Sequence, residues 1–156
     1  MKLVRYGKPG KEKPGLIDAQ GQLRDLSKVV KDITPEVLGD AALKKLARLD
    51  ASKLPAVKGK LRMGCPLSGI RKFVAIGLNY SDHAAEAGMP IPKEPIVFMK
   101  ATSCIQGPND PVMLPKGSVK SDWEVELGVV IGTRARYVSK KHALSHVAGY
   151  TIVNDV

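Results

Sequence analysis

The apolar residues of this chain come in short runs stopped by glycine or proline, and no other feature limits the fold as much. Phe73-Val74-Ala75-Ile76 ends at Gly77, and Ile96-Val97-Phe98-Met99 follows Pro95. Trp123 to Ile131 forms a longer strand-like stretch ended by Gly132, and Tyr150-Thr151-Ile152-Val153 opens another after Gly149. Runs of this length between turn residues read as strands. None approaches the roughly 18 apolar residues of a membrane helix. The expected class is therefore a β-rich α+β fold.

The first seventy residues have a different texture. Residues 2–6 read as a short strand, and Pro14-Gly15 as a turn. Two short strands, at Leu16-Ile17 and Leu23–Leu26, flank a turn containing Gly21. Thr34-Pro35-Glu36 has the form of an N-cap followed by proline. Asp40 precedes a short helix through Arg48. The stretch 50–71 holds Pro55, Gly59, Gly64, Pro66 and Gly69 with little periodicity, and reads as a linker. This predicts a small N-terminal domain with its linker over 1–70 and a second domain over 71–156. Further predictions are a short helix near Asp82–Glu86, a turn at 107–111, and a helix capped by Ser139 through His146.

The charge is as uneven as the texture. The net charge of +10 lies wholly within residues 1–72, which carry 17 Lys and Arg against 7 Asp and Glu. The rest of the chain balances at 8 against 8. A basic half can serve nucleic acid. Aromatic residues make up only 4%, too few for base-stacking platforms, and the lysines are scattered. The favoured reading is a solvated basic surface that attracts small anions, with neither nucleic acid nor membrane as partner. Met1-Lys2-Leu3-Val4-Arg5 has no signal-peptide apolar segment. Cys65 and Cys104 form neither a disulfide framework nor a zinc spacing, which fits the cytoplasm.

Two groups of residues carry candidate chemistry. In Asp122-Trp123-Glu124-Val125-Glu126-Leu127, alternation along a strand puts Glu124 and Glu126 on one face and Trp123, Val125 and Leu127 on the other. Carboxylates about 7 Å apart can grip a hard divalent cation; a half-buried strand with glutamates facing water is the plainer alternative. Asp155 is either a third ligand or a strand-end residue. In Asn79-Tyr80-Ser81-Asp82-His83-Ala84-Ala85-Glu86, His83 and Glu86 share a helix face. A carboxylate beside an imidazole can make a general base; a solvated surface pair is the alternative. His142 and His146 have a zinc-compatible spacing without the glutamate that the zincin pattern requires.

Four segments, in order and spacing, resemble the fumarylacetoacetate hydrolase family. They are Val74–Gly88, Pro95–Lys100, Asp122–Leu127 and Ala148–Asp155. The opening, with Gly15-Leu16-Ile17-Asp18 and Leu23-Arg24-Asp25-Leu26-Ser27, is similar to the small N-terminal domain of bacterial members. The resemblance implies a mixed β-sheet roll, with Mg²⁺ or Mn²⁺ held by Glu124, Glu126 and Asp155 and a catalytic dyad of His83 and Glu86. It also implies a homodimer that cleaves a C–C bond in an acylpyruvate-like 2,4-diketo acid, a small anionic 2-oxo acid substrate. Lyase, decarboxylase or isomerase chemistry on 2-oxo acids or ureidoglycolate is the alternative within the family. Members continue past the Asn-Asp segment, so a catalytic domain incomplete at Val156 is expected, with a non-catalytic fragment as the remaining alternative.

Overall fold

The computed structural model describes all 156 residues. Its strands are β1 (Lys2–Tyr6), β2 (Lys13–Ile17), β3 (Leu23–Asp25), β4 (Phe73–Gly77), β5 (Ile96–Lys100), β6 (Val125–Ile131) and β7 (Val147–Asn154). The α-helices are α1 (Asp40–Ala47) and α2 (Ser81–Glu86), and short 3-10 turns fill several connections. The fold is thus sheet-rich with few helices, as the short apolar runs predict. Every strand pairing is antiparallel: β1-β2-β3, β4-β5 and β6-β7. The chain divides into two compact units, one of residues 1–68 and 107–156, the other of 69–106. No helix is long and apolar enough to cross a membrane.

In the larger unit, the apolar core gathers around the β1-β2-β3 sheet. Tyr6, Leu16, Leu26, Ile33, Leu38 and Leu46 are buried. Pro14-Gly15, predicted as a turn, lies inside β2 instead, with Pro14 opposite Arg5. The Pro14 carbonyl accepts from the Leu26 N–H on the β3 side. Groups of one strand residue point the same way, so the missing proline N–H falls on that side and β1 loses no bond. The stretch expected as a linker is bonded to this sheet: Ala56 bridges Arg24, and Met63 bridges Tyr6. The predicted helix ending at His146 is a 3-10 segment, Lys140–His146. Gly132 closes β6 where the Leu38 carbonyl passes; a Cβ there would collide with that backbone.

Ion pairs bind distant parts of this unit together. Arg5 makes two hydrogen bonds to Asp32, at 2.7 and 3.0 Å. Arg62 bonds Glu12 at 2.9 Å and grips Asp110 with two further N–H groups. Asp110 also accepts the Gly107 N–H at 2.7 Å. Arg24 bonds Asp18 at 2.7 Å. The hydrogen bond from Arg62 holds Glu12 and Asp110 below their ordinary pKa values of 4.5 and 3.8, and Arg24 does the same for Asp18. A carboxylate whose pKa is depressed by folding adds stability that is complete above its unfolded value and is lost as pH falls through the folded one. The melting temperature is therefore expected to hold steady from pH 7 to about 5 and to fall below about pH 4.5. Thermal unfolding across that range checks it. Glu12→Gln should lower the plateau and flatten the acid decline; an unchanged profile would show that Glu12 contributes nothing to it.

Candidate functional site

The β6-β7 ribbon decides which side chains share a face. Its register pairs Val125 with Asn154, Glu126 with Val153 and Leu127 with Ile152. Residues directly opposite in an antiparallel pair project to the same side, with Cβ atoms about 5 Å apart. One step beyond the last pair, the Asp155 N–H donates to the Glu124 carbonyl at 2.8 Å. The Asn154 side chain extends the clasp, its Oδ1 accepting the Glu124 N–H at 3.1 Å. Glu124, Glu126 and Asp155 thus belong to one face of a single ribbon.

That face is the more shielded one. Glu126, Gly128, Val130, Thr151, Val153 and Asp155 are half-buried. Across the ribbon, Val125, Leu127, Val129, Ile131, Tyr150 and Ile152 are exposed. Glu124 is exposed, as the plainer sequence alternative of a half-buried strand with glutamates facing water has it, whereas Glu126 is half-buried. No three His, Cys, Asp or Glu side chains converge as a metal-holding cluster in this structure. The donor set nevertheless suits a hard divalent cation, which takes carboxylate oxygens and keeps several waters. Backbone register puts the three residues on one face without bringing their carboxylates together.

His83 and Glu86 belong to the other unit, on α2. That helix is short but closed at its end. Met89 N–H bonds the Ala84 carbonyl at 2.9 Å and Gly88 N–H bonds that of Ala85 at 3.1 Å, with Gly88 at φ 64°. This is the Schellman ending, which needs a left-handed residue where glycine stands. Ala84 is the helix's buried anchor, 1% exposed. His83 and Glu86 are exposed three positions apart, and no hydrogen bond or ion pair joins them. An orienting contact between them, the basis of the base reading, is therefore not made here.

His142, His146 and Lys100 have structural partners. His142 Nδ1 lies 3.0 Å from Ser139 Oγ, and His146 Nδ1 lies 3.3 Å from the Thr133 carbonyl. Lys100 stands over the Phe98 ring, 5.6 Å from its centre. Cys104 is exposed and Cys65 half-buried, and both are free thiols. Two residues escape sequence reading. Asn154 shows its role only once the ribbon register is known. Leu78 has a positive φ of 48°, which no local pattern around a leucine announces.

Comparison with known proteins shows what the chain is similar to. The first level is a general class: the chain is 60% identical over 156 residues to a Burkholderia cenocepacia protein provisionally named a hydrolase. A Burkholderia multivorans protein, also provisionally named a hydrolase, is equally similar. The second level is specific. The C-terminal fumarylacetoacetate hydrolase signature matches residues 72–156, and the chain belongs to that family. Among solved structures, a fumarylacetoacetate hydrolase from the psychrophile Exiguobacterium antarcticum superposes with a TM-score of 0.75 at 30% identity. A Mycobacterium smegmatis protein, provisionally named HpcE, gives 0.74 at 32%. Both superpositions cover 99% of this chain and 55% of the other. The chain likewise spans 55% of the Burkholderia relatives.

Proposed function

We propose that the intact protein is a divalent-metal-dependent hydrolase that cleaves the C–C bond of an acylpyruvate-like 2,4-diketo acid. The observation that carries this reading is the β6-β7 register, by which Glu124, Glu126 and Asp155 share one face, Glu126 and Asp155 half-buried and Glu124 exposed. Family membership supports it, because the family generally binds a divalent metal.

Glu124, Glu126 and Asp155 would hold the ion. When bound, Mg²⁺ or Mn²⁺ supplies Lewis-acid polarisation of the 2-oxo acid, worth several kcal/mol. His83 takes a proton from water as its oxygen adds to the distal carbonyl. The C–C bond then breaks, its electron pair going to the pyruvate carbon, which ends protonated as pyruvate beside the second acid. Glu86, on the same helix face and not in contact with His83 in this structure, would turn toward the imidazolium that His83 becomes and steady it. General base catalysis of this kind contributes typically 10²–10⁴-fold. The basic first half draws in a small dianionic substrate. We extend the reading to a cytoplasmic homodimer that uses neither nucleic acid nor membrane.

Product analysis of the intact natural protein with an acylpyruvate and Mg²⁺ separates this from the other family chemistries. Hydrolysis gives equal amounts of pyruvate and a second acid, whereas decarboxylation gives CO₂. His83→Ala is expected to lower kcat by about 10²–10⁴-fold with little change in KM. Full turnover in that variant would remove His83 from the chemistry.

A further inference from the structure

The chain leaves β4 at the pair Gly77–Ile96, and the next residue, Leu78, is left-handed with φ 48°. Only glycine visits that region at no steric cost; a bulky leucine there is a true outlier. Such strain persists where the surroundings dictate the conformation, and it concentrates at functional sites. Two residues later Tyr80 returns to extended backbone, at φ −118° and ψ 132°. Its carbonyl accepts the Ala84 N–H at 3.2 Å, the first bond of α2. A second left-handed residue, Gly88, closes the helix. The orientation of this six-residue helix is therefore fixed between two left-handed corners. At the exit corner the chain uses the unstrained residue. At the entry corner it uses a strained, half-buried one, although Gly77 stands next to it.

We propose that Leu78 is a positioning residue: its left-handed backbone, kept rigid by a side chain that glycine would lack, sets the direction in which α2 leaves β4 and so places His83 and Glu86. The catalytic part of this inference rests on the reading of His83 as the base. Glycine would relieve the strain at φ 48°, and it would also open the corner to conformations that leucine cannot reach. Loosening the corner should cost geometry at the reacting atoms rather than substrate affinity, because small misplacements of a catalytic group are expensive in rate.

The test compares Leu78→Gly and Leu78→Asn in the intact natural protein by hydrogen exchange and steady-state kinetics. In Leu78→Gly, the amides of Ala84, Ala87 and Met89 are expected to exchange about tenfold faster, with kcat about tenfold lower and KM unchanged. Asparagine adopts the left-handed region readily, so Leu78→Asn should keep slow exchange and most of kcat. Wild-type exchange and kcat in Leu78→Gly would overturn the proposal. So would a Leu78→Asn variant as loose as the glycine one, because the side chain's contacts would then matter rather than the backbone corner. If the wild-type protein fails to cleave acylpyruvates, the functional reading falls, and exchange alone still decides whether Leu78 places α2.

Discussion

Glu126→Gln is expected to lower kcat on an acylpyruvate by at least about a hundredfold while leaving the fold intact. Of the three carboxylates, Glu126 alone lies within β6, half-buried and opposite Val153. Glutamine keeps the shape of the side chain, and β6-β7 pairing runs through backbone groups that the substitution leaves alone. What disappears is one negative charge from a donor set suited to a hard cation. Loss of a Lewis acid worth several kcal/mol corresponds to two or more powers of ten in rate. Steady-state kinetics with saturating Mg²⁺, beside circular dichroism of the same preparation, checks both halves of the expectation. An unchanged kcat would reduce Glu126 to a strand carboxylate.

Leu26→Ala is expected to have the largest effect on stability. Leu26 is 0% exposed, and so is Ile33 nearby in sequence. The Leu26 N–H is tied to the Pro14 carbonyl, and its own carbonyl accepts from Val29 and Val30. With the backbone held this way, the site has little freedom to collapse into the space that a lost isobutyl group leaves. Truncations of this type cost 2–5 kcal/mol, and about 3 kcal/mol is expected here. For a chain of this size that lowers the melting temperature by roughly 6–12 °C. Val119→Ala is the contrast: Val119 is 89% exposed, and its truncation should cost less than about 0.5 kcal/mol. A Leu26→Ala variant that melts with the wild type would place the core elsewhere.

The sequence made the strands legible because apolar runs between Gly and Pro have few alternatives. Phe73–Ile76, Ile96–Met99 and Trp123–Ile131 all lie in or next to strands of the fold. Pro14-Gly15 misled, because the composition of a turn says nothing about which side of a strand can spare an N–H. The segment 139–146 misled because N-cap spacing does not distinguish a 3-10 turn from an α-helix.

The candidate site was partly legible for a similar reason. Alternation alone put Glu124 and Glu126 together. Asp155 is a candidate from its place near a strand end and from the resemblance, but only the pairing register sets it opposite Glu124, because no local pattern encodes hydrogen bonds between residues some thirty positions apart. Which face would be shielded was also hidden. Val125, Leu127 and Val129 are exposed within this stretch of chain, which spans 55% of the length of its relatives. The spacing of His83 and Glu86 gave a shared helix face but not a contact, because two exposed side chains on one turn need not meet. Leu78 left no trace at all in the sequence.

The most direct test of the central claim is a calorimetric titration of metal-free intact natural protein with Mn²⁺. One ion is expected to bind per chain and to be displaced by excess Mg²⁺, with binding at least about a hundredfold weaker in Glu126→Gln and in Asp155→Asn. Wild-type affinity in both variants would contradict it, because the ion would then be held by other residues than those on the β6-β7 face.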